Sequence, residues 1–248
     1  MKILITNDDG VYAEGINTLH EVLSAVHETY IIAPEVERSA CSNAITVRSP
    51  LTVKKISEKK YAVSGYPADC VSIGLNGGIV PDADLVVSGI NHGPNIGEDL
   101  FFSGTVAGAR TAYIFGKSGI AVSINSYEPI REFLLEASSY ILELAETIKG
   151  KSAEDESRFF LNINYPHLSK KEIKGIQFTS AGRRIYRDSF SHSHKSRDEA
   201  VMQVRGKIGS VPNPGSDITE LEKGFISVTP LQTDCTDYLF LEKMQHLL

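Results

Sequence analysis

Polar residues suited to binding a metal ion or a phosphate group occur in three loops, each after an apolar stretch that we predict to be a strand. The loops are residues 7–10, 34–43 and 91–97. Functional sites in open α/β sheets form at the carboxyl ends of the strands. We therefore expect these loops, which are distant in sequence, to meet at one edge of a sheet.

The adjacent carboxylates of Asp8 and Asp9 indicate a cation site. Two like charges this close repel each other, and the pKa of one of them rises unless something offsets the charge. Oxygen atoms from Asp8, Asp9, Ser39 and Asn91 would form a hard site that suits Mg²⁺ or Mn²⁺ and not Zn²⁺. Taken alone, Asp-Asp-Gly after a strand is equally typical of a turn in which one aspartate caps the next helix.

Residues 103–109, SGTVAGA, are typical of the start of a phosphate-binding helix. A serine or threonine stands at the predicted N-terminus, where free N–H groups and the helix dipole attract anions. A buried, alanine-rich helix with an ordinary N-terminal cap would show the same residues, so both interpretations stay open. Gly93, Asn95 and Gly97 likewise fit either a turn or a backbone nest for anions.

Apolar strands that alternate with amphipathic helices predict a parallel sheet with right-handed crossovers. The predicted strands are residues 2–6, 30–33, 85–87, 120–124 and 159–163. Helical periodicity begins at Ile16 and again at Phe133. We expect an α/β fold, with a three-layer, Rossmann-like, doubly wound and mostly parallel sheet over residues 1–166. Residues 47–63 are predicted to form a hairpin on its rim.

The remainder of the chain, residues 167–248, is predicted to be a C-terminal β-rich extended arm with a closing strand and a tail, within a single domain. The closing strand is predicted at 224–231, and residues 238–248 are expected to pack against the core. Arg183, Arg184 and Arg187 form either a solvated face of the arm or a basic entrance to a neighbour's site.

The composition excludes several classes of function. The net charge of −6, from 31 acidic and 25 basic side chains, argues against a polyanion such as DNA as partner. Three cysteines without CxxC spacing fit a reducing cytoplasm. The apolar runs are shorter than the roughly 18–20 residues that cross a bilayer, so no membrane association is expected. The chain also lacks GxGxxG, GxxxxGK[ST] and GxSxG motifs.

A specific combination of motifs spans nearly the whole chain. It consists of ILITNDDG at 3–10, AP and RS within 33–39, ADCVSIGLNGG at 68–78, DLVVSGINHGPNIGEDLFFSGTVAGA at 84–109, LNINYP at 161–166 and GFISVTPLQTD at 224–234. On these motifs the chain resembles the SurE (survival protein E) family of metal-dependent nucleotide phosphatases. The resemblance implies hydrolysis of nucleoside 5′- and 3′-monophosphates, and short polyphosphate is a further substrate of some members.

The resemblance also implies roles for individual residues. One divalent cation per subunit, Mg²⁺ or Mn²⁺, is expected on Asp8, Asp9, Ser39 and Asn91. The substrate phosphate is expected at Ser103, Gly104 and Thr105, with Asn43 and Asn95 nearby. Either Asp8 attacks phosphorus or an aspartate orients the attacking water, so Asp8 and Asp9 are the expected catalytic residues. Homodimers or homotetramers are expected to form through exchanged C-terminal arms.

Some residues depart from the family pattern. Many members have Ser-Gly where this chain has Ser39-Ala40, and many have tyrosine at the position of Phe102. The usual Ala-Ala-x-Glu-Gly is replaced by residues 109–113, ARTAY. The competing hypothesis from the residues is a non-catalytic nucleotide- or metal-binding signalling module, because doubly wound domains with acidic pockets also serve as receivers.

Overall fold

The computed structural model describes residues 1–151, 158–194, 199–245 and 247. Its strands are β1 (Lys2–Thr6), β2 (Glu28–Pro34), β3 (Val53–Ser57), β4 (Lys60–Val63), β5 (Leu85–His92), β6 (Ser118–Ile124), β7 (Phe160–Tyr165), β8 (Ile176–Phe178), β9 (Arg183–His194), β10 (Ala200–Val211) and β11 (Ile226–Pro230). Its helices are α1 (Glu14–Leu23), α2 (Pro67–Leu75), α3 (Gly104–Ile114), α4 (Arg131–Lys151), α5 (Asp217–Glu222) and α6 (Tyr238–Gln245), and a 3-10 helix spans Gly97–Phe101.

The main sheet has the strand order β3-β4-β2-β1-β5-β6-β7-β11-β8. Its six adjacent strands from β4 to β7 pair in parallel. The flanking strands β3 and β11 run antiparallel to β4 and β7, and β8 is parallel to β11. This mixed but mostly parallel sheet confirms the predicted fold class. The predicted rim hairpin is the β3–β4 pair.

Helices cover both faces of the sheet and create three layers. Ile3 and Ile5 of β1 pack into the cluster that includes Leu19 of α1 and Leu134 of α4. Leu4 points into the opposite cluster, which includes residues of α2. The side chains of Ile3, Leu4 and Ile5 are all fully buried, because helices cover both faces of the sheet. This explains the uninterrupted apolar run. Burial of each such side chain stabilises the fold by roughly 1.5–3 kcal/mol.

Three elements differ from the prediction in ways that matter for the site. Strand β5 continues to His92, so Asn91 lies within a strand rather than at the start of a loop. Helix α1 begins at Glu14, two residues before the first apolar residue of its stripe. Helix α2 was not predicted, because most of its residues are buried and it therefore lacks the single apolar stripe that indicates a surface helix.

The arm is an antiparallel ribbon of β9 and β10, with Arg183 paired to Val211 at its base and His194 paired to Ala200 at its far end. The two strands form a sheet of their own, separate from the main sheet. Residues 195–198, which the sequence analysis assigned to the arm, lie outside the described residues. The main sheet also recruits β8 and β11 from the part of the chain that follows residue 166.

The expectation that residues 238–248 pack against the core is wrong for the part that the structure describes. Residues 238–245 form α6, and every one of them is exposed, as is Leu247. The exposed side chains include Leu239 and Phe240. Apolar side chains favour burial, but the surface that covers them can belong to a partner outside the chain. His246 and Leu248 lie outside the described residues.

None of the helices in the described part of the chain combines the length and the apolar character that crossing a bilayer demands.

We expect the free energy of unfolding to fall as the pH drops below about 6.5, in part because of His27. This side chain is buried, with Nε2 3.3 Å from Glu146 Oε1, and burial lowers its pKa. The unfolded chain therefore takes up the proton at a higher pH than the folded chain does. Urea unfolding at several pH values should show a smaller loss of stability on acidification for His27→Gln than for the wild type.

A matched control for this experiment is His192→Gln, because His192 is exposed on the arm. This control should retain the wild-type dependence on pH. An unchanged slope in His27→Gln would contradict the assignment.

Candidate active site

The first loop is a tight turn that presents both aspartates at the end of β1. The side chain of Asn7 closes it, because its Nδ2 donates to Gly10 O at 3.0 Å and its Oδ1 accepts from Gly10 N at 3.2 Å. Gly10 has φ +101°, a left-handed conformation that glycine adopts without strain. The NDDG sequence thus encodes a turn whose two middle residues face the same edge of the sheet as the other loops.

Asp8 lies between the first loop and the start of α3. Its carboxylate is 3% exposed, and its Oδ1 accepts a short hydrogen bond from the Thr105 hydroxyl. Burial raises the pKa of Asp8, while the Thr105 hydroxyl and the N–H groups of Thr105 and Gly104 oppose the rise. The N-terminus of α3 therefore already faces a negative charge.

The contact between Asp8 and α3 requires a glycine at position 104. A Cβ atom there would lie 2.8 Å from Asp8 Cβ and 2.6 Å from Cys41 Sγ. Both distances are too short for a real side chain, so only a bare backbone fits. Cys41 was not predicted as a site residue, since its sequence neighbours give no sign that it reaches α3.

Asp9 carries the clearest sign of a missing partner. Its Oδ2 is buried without a hydrogen bond. Burial, together with the charges of Asp8 and Glu37, raises the pKa of Asp9 to about 7, and the backbone N–H of His92 opposes this rise. A buried carboxylate oxygen without a donor is costly, and a cation beside it would remove the cost.

The second loop is fixed beside Asp8 by Arg38. The backbone N–H of Arg38 donates to Asp8 O at 2.6 Å, and its guanidinium Nη2 donates to Ser64 O at 3.0 Å. Ser39 follows directly, but its hydroxyl is exposed and donates to Glu37 Oε1 at 2.7 Å. The hydrogen bond of Arg38 therefore places Ser39 one residue from a contact with Asp8, while the Ser39 hydroxyl is engaged with Glu37.

The same loop is also joined to the segment before α3. Ser42 donates twice to it, from N to Phe102 O at 2.9 Å and from Oγ to Phe101 O at 2.6 Å. The next residue, Asn43, has a buried Oδ1 without a hydrogen bond. This unpartnered amide oxygen beside the start of α3 is a second polar atom that a ligand could satisfy.

The backbone of this loop explains why many family members have glycine at the position of Ala40. Ala40 has φ 55° and Ser42 has φ 52°, both in the left-handed region. For a residue with a Cβ atom this conformation costs roughly 1–2 kcal/mol. A glycine at position 40 avoids that cost, and this chain bears it with alanine.

Asn91 is oriented by its own strand end. Its Nδ2 donates to Gly93 O at 2.7 Å, which directs the amide oxygen away from that carbonyl. The neighbouring residue, His92, places its backbone N–H near Asp9. The end of β5 thus reaches the paired aspartates, as the topology of adjacent β1 and β5 requires.

Asn95, in the third loop, is held in a buried network of hydrogen bonds to β6 and β7. Its Nδ2 donates to Ser123 Oγ at 2.8 Å, and its N–H donates to Asn164 Oδ1 at 2.9 Å. Its carbonyl accepts from Nδ2 of Asn162 and of Asn164, at 2.8 and 3.0 Å. The amide N–H groups of Asn95 are therefore turned towards the strands, and the structure gives this residue a part in holding the loop.

Ser103 caps α3, with its Oγ accepting from Val106 N at 3.0 Å. Ser103 and Thr105 are both buried. The N–H groups of Gly104 and Thr105 precede the first complete turn and have no intrahelical acceptor. The start of α3 thus has donors of the kind that bind phosphate groups at helix N-termini, and Asp8 already interacts with those of Gly104 and Thr105.

The donor set suits a hard cation. Among the described residues, no three His, Cys, Asp or Glu side chains gather into a group that could hold a metal. The set expected from the sequence, the carboxylates of Asp8 and Asp9 with the neutral oxygens of Ser39 and Asn91, contains only two such side chains. An all-oxygen set of this kind fits Mg²⁺ or Mn²⁺. The unpartnered Oδ2 of Asp9 supports this fit.

Two further residues hold the site together and were not predicted. Asp217, fully buried, accepts from Gly97 N at 2.9 Å, Gly182 N at 2.7 Å and Ile218 N at 2.8 Å. Asp99 forms an ion pair with Arg184 at 2.8 Å. Gly97 is 120 residues from Asp217 and Arg184 is 85 residues from Asp99, so the sequence carried no signal for these contacts.

This ion pair also bears on the basic stretch of the arm. The guanidinium of Arg184 is only 14% exposed and is engaged with Asp99, so Arg184 belongs neither to a solvated face nor to an open basic entrance. It connects the base of β9 to the 3-10 helix that leads into α3.

Thr105→Val should weaken Mn²⁺ binding by roughly tenfold or more, because a hydrogen bond to a charged group contributes about 1.5–3 kcal/mol. The valine leaves Asp8 buried with one donor fewer. Calorimetric titration of the metal-free protein with Mn²⁺ measures the change.

The control is Thr111→Val on the same helix, because the Thr111 hydroxyl donates to Ala107 O at 2.7 Å and is remote from the aspartates. Equal Mn²⁺ affinities of the two variants would show that the Thr105 hydroxyl does not support Asp8.

Comparison with known proteins agrees with this geometry. Residues 3–188 match the model of the family described as Survival protein SurE. Proteins named 5′-nucleotidase SurE from Desulfitobacterium hafniense (strain DSM 10664 / DCB-2) and Clostridium botulinum (strain ATCC 19397 / Type A) are each 36% identical, over 100% of this chain and 97% and 99% of theirs. The crystal structure of SurE protein from Aquifex aeolicus aligns with a TM-score of 0.86 and 33% identity, over 100% of this chain and 99% of that one. The chain belongs to the SurE family.

Proposed function

We propose that the protein is a metal-dependent 5′-nucleotidase that hydrolyses nucleoside 5′- and 3′-monophosphates to nucleoside and phosphate. The observation that carries this proposal is the contact of buried Asp8, next to half-buried Asp9, with the start of α3, where Thr105 bonds Asp8 directly. A cation beside the aspartates and an anion at the helix would then be neighbours. Full-length relatives named 5′-nucleotidase SurE support the same activity.

The cation in this proposal is one Mg²⁺ or Mn²⁺ per subunit, held by Asp8, Asp9, Ser39 and Asn91. When bound, it neutralises charge on the phosphate group and on the departing alkoxide. A cation there would give the unpartnered oxygen of Asp9 a partner and would favour the ionised form of its carboxyl.

The phosphate in this proposal lies at Ser103, Gly104 and Thr105. The N–H groups of Gly104 and Thr105 donate to its oxygens, and the serine hydroxyl keeps the first turn in place. Asn43 supplies a further polar group from the second loop. Asn95 supports the site from below by fixing the third loop to β6 and β7.

Two routes for the attack on phosphorus stay open. In one, the Asp8 carboxylate attacks phosphorus, the P–O bond to the sugar breaks so that the nucleoside leaves, and water then hydrolyses the acyl phosphate. In the other, an aspartate orients a water molecule that attacks directly. Label that enters the protein carboxylate during a single turnover in ¹⁸O water would rule out direct attack by water, because only an acyl phosphate on Asp8 exposes that carboxyl carbon to water.

Assembly and location complete the proposal. We place the protein in the cytoplasm, without DNA or membrane partners, and Cys41, Cys70 and Cys235 are all free thiols, as a reducing compartment favours. Homodimers or homotetramers through the region 167–248 would cover the exposed apolar side chains of the ribbon and of α6, among them Phe190 and Phe240. A non-catalytic signalling module is not favoured, because the full-length relatives are named as nucleotidases.

Asp8→Asn should lower kcat for adenosine 5′-monophosphate by roughly 100-fold or more, because it removes a charge that binds the cation and stabilises the transition state. The fold should survive, since burial already disfavours the Asp8 charge. Phosphate release and thermal unfolding measure the two effects. Asp84→Asn, at a surface aspartate that accepts from Lys2 N, is the control, and near-normal kcat in a folded Asp8→Asn protein would refute the proposed role.

Removal of divalent ions should abolish hydrolysis, and Mg²⁺ or Mn²⁺ should restore it. Zn²⁺ should restore it less well, because the donor set contains only oxygens. Phosphate release from the dialysed protein, before and after each ion is added, measures this. KCl at equal ionic strength controls for salt, and full activity of metal-free protein would overturn the metal dependence.

A further inference from the structure

An aromatic side chain stands at the entrance to the proposed phosphate site. Phe102 directly precedes Ser103, the cap of α3, and its side chain is 55% exposed. Its backbone is held on both sides, since its N–H donates to Asp99 O at 3.0 Å and its carbonyl accepts from Ser42 N at 2.9 Å. A large apolar ring is thus fixed in position and yet left open to solvent.

A second ring from the arm supports the first. The rings of Tyr186 and Phe102 meet at an interplanar angle of 88° with their centroids 6.2 Å apart. The Tyr186 hydroxyl donates to Asp99 Oδ1 at 2.8 Å, and Arg184 Nε donates to Oδ2 of the same carboxylate at 2.9 Å. Burial and this hydrogen bond raise the pKa of Tyr186 to about 12, so it stays a neutral donor. Tyr186 therefore packs against Phe102 in an orientation that its hydrogen bond to Asp99 fixes.

We propose that the open face of Phe102 stacks against the base of the nucleotide while the phosphate lies at the start of α3. In an edge-to-face pair, Tyr186 covers at most one face of Phe102. The base of a nucleoside monophosphate is separated from its phosphate by the sugar alone, which suits a ring next to the phosphate-binding residues. This assignment rests on the proposed nucleotidase activity and adds the surface that recognises the base.

Stacking on such a ring has a consequence for specificity. Every base has a π-face, so stacking discriminates weakly among bases, and larger ring systems gain more contact. The protein should accept all common bases and hold purines more tightly than pyrimidines. The contribution of Tyr186 from the arm also means that the base of the ribbon shapes substrate recognition.

Phe102→Leu tests the assignment, because it keeps apolar volume and removes the ring. Its KM for adenosine 5′-monophosphate should rise roughly tenfold, the lower part of the range for loss of one base–aromatic stack. Its KM for ribose 5-phosphate, which has the sugar and phosphate without a base, should stay at the wild-type value. Phe102→Tyr should retain the wild-type KM for both compounds, and Phe101→Leu is the control at a neighbouring exposed ring.

The outcomes are distinguishable. An equal rise in KM for both compounds would mean that the substitution disturbs the phosphate site, and it would overturn the assignment. An unchanged KM of Phe102→Leu for adenosine 5′-monophosphate would also overturn it. The same holds if this KM rises in Tyr127→Leu, at the exposed ring beside Gly93, and not in Phe102→Leu. If the wild-type protein hydrolyses neither compound in Mg²⁺ or Mn²⁺, the proposed function fails, and the base-stacking assignment fails with it.

Discussion

The structure of the site depends on two carboxylates held side by side in a place with little water. Burial raises the pKa of both, the charge of Asp8 raises that of Asp9 further, and the neighbouring groups oppose these rises only in part. Asp8 has the Thr105 hydroxyl and the first N–H groups of α3, whereas one oxygen of Asp9 has no donor. This arrangement costs stability and is typical of functional sites, where a ligand supplies the missing interaction.

The sheet topology makes this arrangement possible. Strands β1, β2 and β5 are neighbours and run in the same direction, so the chain leaves each of them at the same edge. Loops that are as far apart in sequence as Asp8 and Asn91 then converge. The rigid strands hold each loop by its first residue, and hydrogen bonds such as that from Arg38 N to Asp8 O join the loops to one another.

The arm and the site share their supports. Asp217 bonds Gly97 in the third loop and Gly182 at the base of the arm, and the Asp99–Arg184 ion pair joins the segment before α3 to β9. These contacts therefore link the base of the ribbon to the residues that precede Ser103. An arm that binds another subunit would, by the same contacts, restrict the geometry of the phosphate site.

The fold class could be predicted from the amino-acid order, because buried parallel strands need unbroken apolar runs, and the candidate site was inferred from the polar loops that follow such runs. Strand β1 was predicted to the residue. Contacts between residues that are distant in sequence could not be predicted. They include Asp217 with Gly97, Arg184 with Asp99, and Cys41 with Gly104. The exposure of α6 could not be predicted either. Apolar residues on a helix indicate that one of its faces will be covered, but they do not show whether the same chain or a partner covers it. Local order determines which elements form, and only the packing of the whole chain decides which side chains meet.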